Sequence, residues 1–278
     1  MAEDTRSALT ARLTALAREL RVDIIEMLAA AQSGHPGGSL SAIDVITTLF
    51  HAEMRHRPAE PAWPDRDRFV LSKGHAVPAL YATLASCDYF PRAELAGLRK
   101  PDSRLQGHPA NFLCPGVEAS TGSLGQGLSV AIGMALAARL DRRETRVYCL
   151  CGDGEIEEGQ VWEAAMAAAK YRLGNLCAVL DYNKGQIDGL VADVMPLEPV
   201  EDKWRAFGWH VRRIDGHDFE QIQDGFAAAR KTPDQPTMLV ADTIKGKGVS
   251  FMEGLAKWHG VAPTRDEAAR AIAEIRRS

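Results

Sequence analysis

The stretch YCLCGDGEIEEGQVWEA, residues 148–164, determines the fold class. An apolar strand predicted at 147–151 runs into the glycine turn GDG, and a helix is predicted to follow at 158–171. Proteins of the α/β class bind phosphate groups at such junctions, on backbone N–H groups at the positive end of a helix. This junction also carries four carboxylates: Asp153, Glu155, Glu157 and Glu158. A carboxylate about 4 Å from a phosphate charge repels it by about 4 kcal/mol at an effective dielectric near 20, so a phosphate here requires a cation.

Further strands and helices alternate on both sides of this junction. Apolar runs predict strands at 69–71, 176–180, 209–214 and 238–241. Helical patterns lie at 6–31, 41–51, 124–140, 199–207 and 219–230, and another helix is predicted from about Val77. Strands that alternate with helices are typical of a parallel sheet covered on both faces. We therefore expect a doubly wound, mostly parallel α/β sheet, in a single domain of residues 1–278 with a helical N-terminal arm at about 6–31.

The composition narrows the possible classes of protein. The 278 residues are 46% hydrophobic and 25% charged, as in ordinary soluble globular proteins. A net charge of −4 gives no electrostatic reason to expect nucleic acid or an anionic membrane as partner. No apolar run is long enough to cross a bilayer, and the N-terminus has no signal-peptide pattern. The five cysteines include no CxxC pair, so reduced thiols in the cytoplasm are expected.

Residues that can bind a metal ion follow neighbouring predicted strands. Asp153 follows one strand, and Asn183, in DYNKGQIDG, follows the next. Since ligands of open parallel sheets bind at the carboxyl ends of the strands, we expect these two side chains side by side. Carboxylate, amide and main-chain carbonyl oxygens suit Mg²⁺ or Ca²⁺ better than zinc. A divalent cation between Asp153 and a diphosphate would resolve the charge conflict, and Lys245, at an adjacent strand end and next to Gly246, could neutralise the remaining charge. The alternative is that Asp153 caps a helix and Asn183 forms an Asx-turn.

The histidines form a second group of candidates. Five of the eight adjoin a glycine: His35, His75, His108, His217 and His259. Glycine lets backbone approach a ligand closely, and imidazoles near pH 7 are suited to proton transfer. No HExxH spacing indicates a histidine-bound zinc. The other three, His51, His56 and His210, are expected to be ordinary solvated or hydrogen-bonded side chains.

Taken together, these motifs resemble those of the transketolase family. GDG with Asn183 thirty positions after Asp153 resembles the thiamine diphosphate signature. The finer pattern is similar to transketolase: SGHPGGSLS, DRFVLSKGHA, QGHP, TGSLGQGLS, GDGEIEEGQVWEA, NKGQIDG, and KGKGVSFME followed by WHG, in family order over about residues 10–262. The resemblance implies transfer of a two-carbon ketol unit from a ketose or ketose phosphate to an aldose. It also implies two cofactors, thiamine diphosphate and Mg²⁺ (or Ca²⁺ or Mn²⁺).

The resemblance also implies a role for individual residues. The metal ligands would be Asp153, Asn183 and the carbonyl of Gly185. Contacts to thiamine diphosphate would come from His75, Gly122, Ser123, Leu124, Gly154, Asn183 and Lys245. The catalytic group would comprise His35, His108 and His259, facing the donor sugar, and Glu158, at an acidic position near the cofactor and the subunit interface.

The family's pyrimidine-binding domain and C-terminal domain have no counterpart in the 278 residues. The glutamate that activates the cofactor belongs to the first of these domains. The resemblance therefore implies an N-terminal transketolase subunit that works with a C-terminal subunit, as an α₂β₂ heterotetramer with sites at subunit interfaces. The alternatives are another thiamine enzyme, such as 1-deoxyxylulose-5-phosphate synthase or a 2-oxoacid dehydrogenase α-subunit, or a non-catalytic subunit that binds thiamine diphosphate. WHG together with GHPGGS and GHP favours transketolase.

Overall fold

The computed structural model describes residues 2–277, with side chains from Thr5 onward. It contains seven strands: β1 (Arg68–Leu71), β2 (Val147–Gly152), β3 (Leu176–Tyr182), β4 (Gly185–Gln186), β5 (Gly189–Leu190), β6 (His210–Asp215) and β7 (Thr237–Asp242). Five of them form one sheet in the order β1-β2-β3-β7-β6, and every neighbouring pair is parallel. The short strands β4 and β5 form an antiparallel hairpin after β3. The predicted parallel sheet is confirmed.

Helices cover both faces of this sheet. They are α1 (Ala2–Ala31), α2 (Pro36–Thr48), α3 (Val77–Ser86), α4 (Gln126–Leu140), α5 (Gly159–Lys170), α6 (Val191–Val194), α7 (Val200–Ala206), α8 (Phe219–Arg230) and α9 (Arg265–Ile275). Between residues 2 and 277, no helix is both long and apolar enough to span a membrane.

Strands β1, β2, β3 and β7 are buried on both faces, so their residues divide alternately between two cores, whereas the edge strand β6 is largely exposed. Along β2, Tyr148 and Leu150 pack into the cluster that contains α1, α2, α3, α8 and α9. The intervening Cys149 and Cys151 pack into the cluster that contains α4, α5 and α7. This burial explains why each of these four strands is mostly apolar. All five cysteines are buried free thiols, as expected.

Helix α2 begins earlier than predicted. Residues 41–51 were expected to be helical, but α2 starts at Pro36, where the fixed φ of proline suits the first helical position. The glycines that precede residue 41 in the sequence, Gly37 and Gly38, lie in the first turn of the helix because other groups approach there. A Cβ on Gly37 would lie 2.8 Å from the Trp258 carbonyl oxygen and 2.9 Å from Lys245 Cγ. The start of α2 is therefore packed directly against Lys245.

Helices α4 and α9 also differ from expectation. Helix α4 begins at Gln126 and not at residue 124, because Gly125 has a left-handed φ of 82° and completes the preceding turn. Helix α9 had no counterpart in the sequence prediction. It begins with a capping box in which Thr264 and Glu267 satisfy each other's backbone N–H groups.

Candidate active site

A cavity of about 250 Å³ opens at the carboxyl ends of β1, β2, β3 and β7. Its lining residues include His35, Lys73, His75, Gly122, Leu124, Asp153, Gly154, Glu155, Asn183, Gly185, Gln186, Ile187, Lys245 and His259. Residues separated by more than 200 positions thus meet at one edge of the sheet, as the strand-end rule predicts. A larger cleft of about 970 Å³ lies among residues 93–113, but no histidine lines it.

One end of the cavity presents oxygen atoms. The buried Asp153 carboxylate accepts hydrogen bonds from the Gly154 N–H (2.8 Å) and the Lys184 N–H (2.5 Å). The Asn183 side-chain oxygen accepts from the Gly185 N–H at 3.1 Å. The cap and Asx-turn considered as alternatives to a metal site are therefore both present. They leave each oxygen a further lone pair, so they do not prevent either residue from binding a cation.

The donor set in this region fits a hard cation. Within the side chains described, no group of three or more His, Cys, Asp or Glu residues is placed to hold a metal. A cation would therefore combine the one carboxylate of Asp153 with the Asn183 amide oxygen and the Gly185 carbonyl, which now accepts from Lys245 Nζ at 2.7 Å. Burial and the nearby Asp181 charge raise the pKa of Asp153 to about 6. A cation beside Asp153 would offset both effects.

A buried ion pair lies behind this region, and the sequence analysis did not single it out. Lys73 donates to Asp181, and their side chains are 2% and 1% exposed. The Asp181 carboxylate also accepts from Ser41 Oγ at 2.6 Å and from Asn183 Nδ2 at 3.1 Å. Burial alone would raise the pKa of Asp181, but Lys73 outweighs it and keeps the pKa below its usual value. Asp181 therefore holds the Asn183 amide with its oxygen directed away, toward the Gly185 N–H.

A second carboxylate that the sequence analysis did not assign joins three segments of the site. Glu155 is 3% exposed. Its oxygens accept from Ser72 Oγ (2.6 Å), the Gly125 N–H (3.0 Å) and the Gly152 N–H (2.9 Å). The residue therefore fixes the ends of β1 and β2 and the start of α4 relative to one another.

Four of the five glycine-adjacent histidines lie together. The ring centroid of His35 is 5.3 Å from that of His75, 5.7 Å from that of His259 and 6.3 Å from that of His108. The His75 and His259 rings stack at 5.1 Å. His108 is exposed at the mouth of the site, whereas the other three line the cavity.

The environment keeps these imidazoles neutral. Burial and the Lys245 charge lower the pKa of His259 to about 3, and burial with the Arg99 charge lowers that of His35 to about 4. Burial, chiefly, also lowers the pKa of His75 well below its usual value. His259 Nδ1 lies 2.9 Å from Lys245 Nζ. An ammonium can only donate, so Nδ1 accepts and the proton of the His259 ring is on Nε2.

The fifth glycine-adjacent histidine, His217, lies outside this cluster. Its Nδ1 is 2.8 Å from Asp44 Oδ2, and its Nε2 accepts from the Ile244 N–H. Adjacent glycine was therefore not sufficient to predict a place in the cavity. The histidines expected to be ordinary also lie elsewhere, with His51 bonded to Ser86 and His56 to the Phe50 carbonyl.

Two further candidates lie beside the cavity and do not line it. Ser123 is exposed between Gly122 and Leu124, both of which line the cavity. Glu158 is exposed just before α5, and a Cβ on Gly125 would lie 2.8 Å from its Cβ.

Known proteins are similar to this chain in sequence and in fold. Residues 10–276 match the family model described as "Transketolase, thiamine diphosphate binding domain". The 6-deoxy-6-sulfo-D-fructose transketolase subunit SqwG of Clostridium sp. (strain MSTE9) is 49% identical over 242 residues, covering 87% of this chain and 88% of that protein. An apulose-4-phosphate transketolase subunit of Phocaeicola vulgatus is 45% identical over 255 residues, covering 92% of this chain and 90% of that protein.

Longer relatives match over only part of their length. Transketolase of Homo sapiens is 43% identical over 265 residues, which cover 93% of this chain and 41% of the human protein. The solved transketolase of Leishmania mexicana superposes with a TM-score of 0.90 at 33% identity, over 95% of this chain and 41% of that chain. The chain therefore spans about two fifths of these transketolases. These similarities favour transketolase over the other thiamine enzymes: the chain belongs to the transketolase family, in the part that binds thiamine diphosphate.

Proposed function

We propose that the chain is the N-terminal subunit of a two-chain transketolase. The enzyme would transfer a two-carbon ketol unit from a ketose or ketose phosphate to an aldose, using thiamine diphosphate and a divalent cation, Mg²⁺ or alternatively Ca²⁺ or Mn²⁺. The observation that carries this proposal is the meeting of an oxygen-donor set and a neutral histidine cluster in one cavity at the strand ends.

The residues of the cavity fit both cofactors. Asp153, Asn183 and the Gly185 carbonyl would hold the cation, and Gly154 with Lys245 would hold the diphosphate. His75 and the turn formed by Gly122, Ser123 and Leu124 would hold the rest of the cofactor. When bound, thiamine diphosphate supplies a thiazolium ring that accepts electrons as the carbon–carbon bond breaks.

The histidines would bind the sugar and handle its protons. His259 uses Nδ1 to accept from Lys245, so its Nε2–H is available to donate to a sugar oxygen. His35 Nδ1 is buried and has no hydrogen-bond partner among the described residues, which leaves this ring able to exchange a proton with a ligand. His108 would contact the sugar at the exposed mouth, and Glu158 would act from the subunit interface. A non-catalytic subunit would need only the cation and diphosphate end, so the histidine cluster supports catalysis.

We propose that a C-terminal subunit, with pyrimidine-binding and C-terminal domains, covers the cavity in an α₂β₂ assembly. Two relatives that the chain matches over most of their length are named as subunits. Apolar side chains are also exposed on the β4–β5 hairpin and the segment after it: Ile187, which lines the cavity, is 71% exposed, Leu190 51% and Met195 54%. Such patches commonly mark protein interfaces.

We also infer that the chain acts as one domain in the cytoplasm. Both hydrophobic cores share the same sheet, which supports a single unit. The five buried thiols are compatible with a reducing compartment.

The cofactor assignment is tested by calorimetric titration of thiamine diphosphate with Mg²⁺ present. Asp153→Asn and Asn183→Ala should weaken binding by at least about tenfold while far-UV circular dichroism stays unchanged, because the first removes the negative charge and the second removes the amide oxygen of the proposed cation site. Asp234→Asn, at an exposed acid near the amino end of β7, is the matched control and should bind like the wild type. Unchanged affinity in both site variants would contradict the metal assignment.

A further inference from the structure

The segment 243–249, which carries Lys245, is held on both sides of that residue by two side chains. On one side, His217 Nε2 accepts from the Ile244 N–H at 2.9 Å. On the other side, Arg21 Nε donates to the Lys247 carbonyl at 3.3 Å. His217 and Arg21 come from different parts of the chain, the β6–α8 connection and α1. The position of Lys245 therefore depends on residues that do not line the cavity.

One buried carboxylate organises both of these contacts. Asp44, on α2, is 2% exposed. It accepts two hydrogen bonds from the Arg21 guanidinium, at 2.8 and 2.6 Å, and one from His217 Nδ1 at 2.8 Å. Burial alone would raise the pKa of Asp44, but Arg21 and His217 outweigh it and leave the pKa below its usual value. The same helix also contacts the segment directly, since the Gly37 carbonyl accepts from the Gly246 N–H at 3.0 Å.

The geometry fixes the tautomer of His217. Because Nε2 accepts from a backbone N–H, the ring proton must be on Nδ1, which donates it to Asp44. Asp44 thereby orients the ring so that Nε2 is directed at Ile244. The contact with Ile244 lies close to solvent, so water can replace it with little loss of stability. Water cannot, however, hold the segment in one place.

We propose that Asp44, Arg21 and His217, here called the Asp44 clamp, position Lys245 for the cofactor diphosphate. From its present position Lys245 Nζ reaches both the Gly185 carbonyl, at 2.7 Å, and His259 Nδ1, at 2.9 Å. Releasing residues 244 or 247 lets the lysine backbone move and weakens both contacts. His217 and Arg21 are positioning residues, because they act through Lys245. The role of the clamp in cofactor binding rests on the proposed function, whereas its hold on the segment does not.

The test compares three variants of the full-length chain. His217→Phe keeps a ring but has no acceptor for the Ile244 N–H. His217→Gln retains one donor and one acceptor and should restore the function at least in part. His51→Phe is the matched control, since His51 is a partly buried histidine that bonds to Ser86 and not to the segment. Hydrogen–deuterium exchange of residues 243–249, thiamine diphosphate affinity with Mg²⁺, and the melting temperature are measured for each.

The clamp predicts that His217→Phe speeds exchange in the segment and weakens cofactor affinity about tenfold, the order expected if Lys245 loses one hydrogen bond to the cofactor. His217→Gln should lie closer to the wild type in both measurements. His51→Phe should lower the melting temperature but leave exchange of the segment and cofactor affinity unchanged. The proposal would be overturned if His217→Phe had the same exchange rate in the segment and the same cofactor affinity as the wild type, whatever its melting temperature.

Failure of the proposed function is distinguishable from failure of the clamp. If the wild-type chain bound no thiamine diphosphate, alone or with its partner subunit, the proposed function would be wrong. Exchange of residues 243–249 would still decide whether the clamp holds the segment. Faster exchange in His217→Phe alone would support the clamp, and equal exchange in all variants would reject it.

Discussion

Replacing Lys73 with methionine should remove a large part of the stability of the chain. The substitution nearly preserves side-chain volume but leaves the Asp181 carboxylate buried without its cation. The two side chains are 2% and 1% exposed, so water cannot take the place of the ammonium group. Breaking a buried ion pair by removing one partner costs about 3–5 kcal/mol.

The lower end of this range applies here, because Asp181 retains other donors. Ser41, Thr243 and Asn183 all continue to donate to its carboxylate. We therefore expect a loss of about 3 kcal/mol in the free energy of unfolding, a large share of the roughly 5–15 kcal/mol typical of a domain. Adding Asp181→Asn to Lys73→Met removes the unpaired charge and should recover part of the loss.

Urea denaturation followed by tryptophan fluorescence measures these differences. Arg205→Met is the control: its pair with Asp202 has side chains 50% and 70% exposed, and such surface pairs contribute about 0–1 kcal/mol. A loss below about 1 kcal/mol for Lys73→Met would refute the reasoning. So would a double variant less stable than Lys73→Met alone.

Two predictions concern the histidines. In the assembled enzyme, His259→Ala should lower turnover by about 10²–10⁴-fold with nearly unchanged cofactor affinity, and His51→Ala should retain turnover; equal losses would contradict the assignment. Without cofactor, the chain should lose about 1 kcal/mol of unfolding free energy for each of His35 and His259 between pH 7 and 5, about half of the roughly 2 kcal/mol that the two pKa values alone imply, because both rings are partly exposed to solvent. Burial and the cations Lys73, Lys245 and Arg99 lower the pKa of His35 to about 4 and that of His259 to about 3. As the pH falls, these histidines therefore take up protons in the unfolded chain before they do so in the folded chain. This prediction would be wrong if the double variant His35→Gln/His259→Gln lost as much thermal stability between pH 7 and 5 as the wild type.

The sequence predicted the sheet well because four of its five strands are short, mostly apolar runs, and only the edge strand β6 is largely polar and exposed. All five strands of the sheet lie within two residues of their predicted positions. The carboxyl ends of these strands then placed Asp153, Asn183 and Lys245 in one cavity, as expected. This inference succeeded because it depends on the topology of a parallel sheet and not on side-chain detail.

Long-range contacts explain what the sequence could not predict. Lys73 and Asp181 are 108 residues apart, so their pairing is visible only after folding, although Lys73 follows β1 as Asp153 follows β2. His217 has the same glycine neighbour as His35 but binds Asp44, 173 residues away. Helix α9 was also missed, but the sequence did contain a signal for it, because Thr264 and Glu267 have the spacing of a capping box.

The most direct test of the central claim is a ketol-transfer assay of the chain alone and with a chain that carries the pyrimidine-binding and C-terminal domains. Ketose and aldose phosphates would be supplied with thiamine diphosphate and Mg²⁺, and products that gain or lose two carbons would be detected by mass spectrometry. The account predicts no transfer by either chain alone, and transfer by the mixture that is abolished by Asp153→Asn. Robust transfer by this chain alone, or none by a stable complex of the two chains, would contradict it.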